Sequence, residues 1–286
     1  MVWFGPAGTA DSFSQLGYKK TSQIADYVER MGLNAFEYQC GRGVRVNVDT
    51  AATLKAAFAE KKLRMSLHAP YYISLSGVEE ETRLGSVRYI LESAQAADLL
   101  GADRVIVHSG SCSKITREQA LELAKDTMRL ALRTLDEQGL SHITLCPETM
   151  GKMNQLGTLD EVLELCTLDE RLVPCVDFGH LNARTLGGMN SLEQFESVLL
   201  AMQNKLGTQR MRGFHSHFSK IEYTANGGEK RHLTFADSLY GPEFAPLAEL
   251  VVKYDCHPVF ICESAGTQSE DAAVMQQLYR HAAGIE

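Results

Sequence analysis

Eight short apolar runs, separated by longer stretches of helical periodicity, constrain this chain more than any other feature, and six of the runs end on a histidine or an acid. The runs are Trp3-Gly5, Ala35-Tyr38, Arg64-Leu67, Arg104-His108, Ile143-Cys146, Leu172-Val176, Gly213-His217 and Pro258-Cys262. The helical segments lie near 20–31, 50–61, 80–100, 116–138, 158–167, 191–205, 242–254 and 268–282. Strand-length apolar runs alternating with helix-length amphipathic ones are the signature of βα units on a parallel sheet, and eight such units make a closed barrel. Thr116 with Gln119 and Thr158 with Glu161 have capping-box spacing, and Gly32, Gly101 and Gly139 stand where helices should stop. The expected fold is α/β, a single (β/α)8 TIM barrel over residues 1–286.

No Pro/Gly/Ser-rich linker or low-complexity tract divides the 286 residues, which favours one barrel over two smaller domains. No apolar run approaches the roughly 20 residues of a membrane span, and the N-terminus has no basic segment followed by a long apolar core. A cytoplasmic protein with no membrane partner is expected. The seven cysteines include no Cys-x-x-Cys pair, and Cys146, Cys175 and Cys262 sit inside apolar runs, so they read as reduced core residues. A formal net charge of -8 argues against non-specific nucleic-acid affinity, and any such contact would come from a local patch. The densest is Arg210, Arg212, Lys220, Lys230 and Arg231.

In a barrel of this type the strand ends form the active-site face, and that is where the chemistry-bearing residues fall. His68, His108, Glu148, Asp177, His180, His215 and Glu263 lie at or just beyond run ends, and His232 is a further candidate in the segment after the seventh run. One aspartate and one histidine at a strand tip would be an ordinary turn. So many imidazoles and carboxylates instead match the nitrogen and oxygen donors of a zinc-type ion, in numbers sufficient for two or three ions. His217 shares a strand face with His215, so either is a candidate ligand.

The motifs LHAPYYISL, VIVHSGSC, CPET, VDFGHLNAR, RGFHSHFSK and VFICES resemble, in order and spacing, the strand-end motifs of the endonuclease IV family, which cleaves DNA at apurinic/apyrimidinic sites. The resemblance runs from about His68 to Glu263 and implies a TIM barrel carrying a zinc cluster. It places His68 and His108 on a first zinc and makes Glu148 its bridge to a second. Asp177, His215 and Glu263 complete the second, and the motif register favours His215 over His217. His180 and His232 hold the third. Manganese is an alternative occupant of some sites. The implied activity is backbone hydrolysis at abasic or damaged DNA by metal-activated water, with Glu148 and Glu263 as the catalytic carboxylates.

The sequence departs from the family pattern in three places. The family's aspartate two residues before the last histidine is Lys230 here, leaving Glu229 as the replacement ligand; the first strand is followed by Pro6-Ala7-Gly8 without histidine; and Ser109 follows His108 in place of proline. These mark a divergent branch. Tyr71, Arg42, Lys220 and Arg231 are the expected DNA contacts. The alternative is a one-metal sugar isomerase or epimerase on the related barrel, which would use Glu148, Asp177, His215 and Glu263 and leave His68, His108, His180 and His232 without a shared role.

Overall fold

The computed structural model describes residues 1–285. Among these residues ten strands form: β1 (Trp3–Pro6), β2 (Ala35–Gln39), β3 (Arg64–His68), β4 (Arg104–Val107), β5 (Thr144–Pro147), β6 (Cys175–Asp177), β7 (His215–Phe218), β8 (Ile221–Thr224), β9 (Gly228–His232) and β10 (Val259–Cys262). Two parallel sheets, ordered β1-β10-β7-β6 and β2-β3-β4-β5, are joined by the bridges Ala7–Glu37 and Glu148–Cys175. The eight strands expected from the sequence thereby close into a TIM barrel. The antiparallel pair β8-β9 stands outside it as a hairpin after β7.

Period-two alternation explains how short strands build both a core and a site. Phe4, Phe36, Phe214, Phe218 and Phe260 are buried with the surrounding helices, and Phe4 stacks on Phe260 with ring centroids 5.5 Å apart. Burying each such ring stabilises the fold by roughly 1.5–3 kcal/mol. The alternate positions meet inside the barrel, where Ala35, Val259 and Ile261 form one small cluster and Ile106, Cys146 and Cys175 another. Gly5 is required in the wall, because a Cβ there would lie 2.0 Å from the Ala35 carbonyl oxygen.

Both expected capping boxes form, with Thr116 and Thr158 each accepting from the backbone of the residue three on. Gly101 closes the helix Glu80–Leu100 at φ 74°, the left-handed conformation that glycine adopts without strain. Four elements were absent from the sequence reading: the hairpin and the helices Asp11–Gln15, Phe178–Arg184 and Thr208–Arg212. A cleft of about 1060 Å³ lies at the strand-start end around Arg104 and Arg210, away from the ligand-bearing tips.

Candidate metal centre

Glu148, one residue past β5 and 1% exposed, is the hub of the mouth. Its Oε2 lies 3.4 Å from His68 Nε2 and 3.2 Å from His108 Nε2. Its Oε1 lies 3.0 Å from His217 Nδ1 and 3.5 Å from His180 Nδ1. Asp177 and Glu263 join Glu148 and His217 in a second group, with His217 Nδ1 3.6 Å from Glu263 Oε1. A third group contains His180, Glu229 and His232, with His180 Nε2 3.5 Å from Glu229 Oε2.

These separations test whether metal ions fit. Donors bound tetrahedrally at 2.0–2.1 Å lie about 3.3–3.4 Å apart, close to the spacings around Glu148 Oε2 and Glu229 Oε2. Glu148 Oε2 and Asp177 Oδ2 are buried without any hydrogen-bond partner, a costly state that a cation would relieve. The imidazoles are also held for the task. His68 Nδ1 is 2.7 Å from the Ala69 carbonyl oxygen and His180 Nδ1 is 2.9 Å from that of Thr149, so each Nδ1–H donates to backbone. Their Nε2 lone pairs are left facing the mouth, the arrangement usual for metal-bound histidine.

Local folding positions each donor. Asp177 ends β6 and caps the helix Phe178–Arg184 by accepting from His180 N through Oδ1, which leaves Oδ2 toward the site and sets His180 one turn on. A Cβ at Gly179 would lie 2.5 Å from the Ser219 carbonyl oxygen, so the close approach of this helix to the loop after β7 depends on glycine. Glu229 reaches the third group because β9 carries a bulge. Glu222 pairs with Arg231 and Tyr223 with Glu229, so Lys230 is the extra residue. Lys230 and Arg231 both bind Glu222 on the outer side, and Glu229 and His232, three apart, face inward together.

The register of β7 corrects one expectation. His217, not His215, meets Glu148 and Glu263, because Asp177 pairs with His217 while His215 pairs with Cys175, two residues deeper. At about 3.3 Å per residue, His215 lies roughly 6–7 Å below the donor layer. It is fully buried, with Nε2 3.1 Å from Glu37 Oε2. Glu37, absent from the sequence reading, is fully buried directly under the centre.

The electrostatics follow from this crowding. Burial opposes ionisation of Glu148 and Glu37, yet the facing histidines hold both carboxyls well below the usual range. Burial, with the negative charges of Glu263 and Glu148, lifts Asp177 to about 6 against the pull of His180 and His217. His68 is disfavoured as a cation by burial, but Glu148 outweighs this and raises it to about 9. Burial pushes His215 down to about 4, so it is neutral.

The expected DNA contacts separate. Tyr71 is 63% exposed beside Tyr72, and Arg42 is exposed on the loop after β2. Lys220 is buried, with Nζ bound to Glu243 and to the Asp237 carbonyl oxygen, so it is not available to a phosphate. Arg231 is exposed but paired with Glu222. The basic patch also disperses: Arg210 and Arg212 line the cleft at the opposite end of the barrel.

Fold and site together define a parallel βα barrel with a histidine- and carboxylate-rich centre at its strand tips. Residues 25–281 match the xylose isomerase-like TIM barrel family, and the chain belongs to it. It is 31% identical over 279 residues, 98% of its own length and 97% of the relative's, to an uncharacterized protein of Methanocaldococcus jannaschii. It is 25% identical over 203 residues, 69% of the chain and 67% of the relative, to a probable endonuclease 4 of Mycoplasma pneumoniae. Among solved structures, endonuclease IV of Thermus thermophilus superposes with TM-score 0.69 at 21% identity, covering 99% of each chain. A D-tagatose 3-epimerase-like protein superposes with TM-score 0.74 at 18% identity, covering 99% of this chain and 98% of that one. The similarity to endonuclease IV is that of a divergent branch. No helix among the described residues is long and apolar enough to cross a membrane.

Proposed function

We propose that the chain is a zinc-dependent phosphodiester hydrolase of the endonuclease IV type, cleaving the DNA backbone at abasic sites. The observation that carries this reading is the third donor group, His180, Glu229 and His232, beside the two groups that share Glu148. A one-metal epimerase has no use for it. His68, His108 and Glu148 would hold one ion; Glu148, Asp177, His217 and Glu263 a second; and the third group another. Bound zinc supplies a nucleophilic water near neutral pH and neutralises charge developing on a phosphate.

The chain's own residues divide the remaining work. Glu148, faced by four histidines and 1% exposed, places cations. Glu263 is the more accessible carboxylate at 17% side-chain exposure, and we assign it to accept the proton of an attacking water. Tyr71 offers an exposed ring for an unstacked base, and Arg42 a mobile-length cation for a backbone phosphate.

The test pairs metal analysis with nicking of a duplex containing one abasic site. Two to three zinc ions per chain are expected, with nicking reduced at least about a thousandfold in Glu148→Gln, since losing a shared ligand removes several kcal/mol of transition-state stabilisation. A single ion and no nicking would instead favour a sugar epimerase. That second reading has its own support, because Glu148, Asp177, His217 and Glu263 form a complete one-metal set without the other groups.

A further inference from the structure

Beneath the donor layer, Glu37 sits on β2 beside the bridge that joins the two sheets, with no exposed surface. An isolated carboxylate at such a position would be strongly destabilising, so the groups around it indicate its role. Oε2 accepts from Ser66 Oγ at 2.9 Å and from His215 Nε2 at 3.1 Å. Oε1 accepts from Gln39 Nε2 at 3.1 Å, and His217 Nε2 lies 2.9 Å away in a bent contact outside hydrogen-bond angles. Three of the four groups facing the carboxylate are hydrogen-bonded to it, and the fourth, His217 Nε2, stands against the remaining capacity of Oε1. His217 is therefore held between two carboxylates, Glu37 at Nε2 and, at the opposite Nδ1, Glu148 Oε1 3.0 Å away.

We propose that Glu37 is a positioning residue that orients His217, keeping Nε2 protonated and Nδ1 as the donor presented to the second ion. The inference rests on the reading of the mouth as a metal centre. Carboxylates behind metal-bound imidazoles fix the ring and its tautomer and raise its basicity, and removing them typically weakens metal binding about 10–100-fold. Ser66 and His215 act one step further back: they hold Glu37 Oε2 and so fix the direction from which Oε1 approaches His217. His215 thus gains a role that requires no contact with metal.

The experiment is zinc titration of the metal-stripped chain and of Glu37→Gln against a chromophoric chelator, with cobalt substitution as a spectroscopic readout. Expected is a 10–100-fold loss confined to one ion, an altered cobalt spectrum for that ion, and unchanged affinity at the others. The thermal midpoint of metal-free Glu37→Gln is not expected to fall. Equal affinities for every ion in the two proteins overturn the proposal, as does a fall in metal-free stability with no change in binding. If Glu37→Gln does not fold, the same titration of Ser66→Ala decides: a few-fold loss at one ion supports the proposal, and none overturns it. A wild-type chain that binds no zinc at all would defeat the metal-centre reading rather than the role of Glu37.

Discussion

Glu229 Oε2 stands 3.5 Å from His180 Nε2, although the two residues come from a hairpin outside the barrel and a helix after β6. That approach depends on the one-residue bulge at Lys230, which returns Glu229 to the face occupied by His232. Removing the bulge residue would leave Glu229 and His232 two apart on a regular strand, again on one face. Deletion of Lys230 is therefore expected to keep the third ion. Insertion of one alanine between Arg231 and His232 is expected to turn His232 outward and lose it. Metal content per chain distinguishes the two variants, and loss of an ion from the deletion variant would refute the bulge argument.

Gly151 sets how closely the hairpin approaches. A methyl group there would lie 2.6 Å from Glu229 Cβ and 2.9 Å from His180 Cδ2. Neither neighbour is a loose chain end, so Gly151→Ala should displace Glu229 and weaken the third site while the two ions sharing Glu148 stay bound. The check is a chelator titration, in which one ion leaves more readily than in wild type. Lys230 and Arg231 are expected to matter little, because their ion pairs with Glu222 are solvent-screened at the surface.

Metal binding should release protons at neutral pH. In the metal-free chain, burial disfavours the His68 cation, yet Glu148 overcomes this and raises His68 to about 9. The stability contributed by protonated His68 is then fully present below about 6.5, its unfolded value, and is lost as pH rises through about 9. An ion bound at Nε2 requires the neutral ring, so binding near pH 7 must displace a proton. Asp177, lifted by burial to about 6, adds to the release only below that pH. Calorimetric titration with zinc in two buffers of different ionisation enthalpy should show net proton release at pH 7 and less at pH 9. No release at pH 7 would contradict the electrostatics of the mouth.

Much of this centre was legible because barrel strands repeat one rule. An apolar run that ends on a histidine or acid delivers that side chain to the mouth, and His68, His108, Glu148, Asp177 and Glu263 all follow it. His217 was not separable from His215, since a period of two puts both on one face and only the pairing of β6 with β7 sets their depth. Glu37 does not stand out in the sequence, being a single polar residue within an apolar run. The signal was present, because in Ala35-Phe36-Glu37-Tyr38 the alternation that buries Phe36 outward sends Glu37 inward. The hairpin was also signalled, by Asn226-Gly227 between two alternating stretches. Lys220 misled because charge along a sequence says nothing of burial.

The cysteines provide a test of the core that is independent of metal. All seven are free, and six are buried: Cys40, Cys146, Cys166, Cys175, Cys256 and Cys262. Burial pushes Cys146 and Cys262 up to about 12, and Cys40 and Cys256 up to about 11. Only the thiolate reacts readily, so these thiols are protected both by access and by protonation. Cys112 differs: it is partly exposed, and Arg117 Nη1 lies 3.0 Å from its Sγ. At pH 8 a thiol reagent should titrate one group rapidly in the native chain and seven after denaturation. Cys112→Ser should remove the rapid phase and leave the other six unreactive until the barrel opens, so that their rate reports global unfolding. A second fast thiol in Cys112→Ser would mean that part of the barrel wall opens on its own, and the residue that reacts would identify the strand.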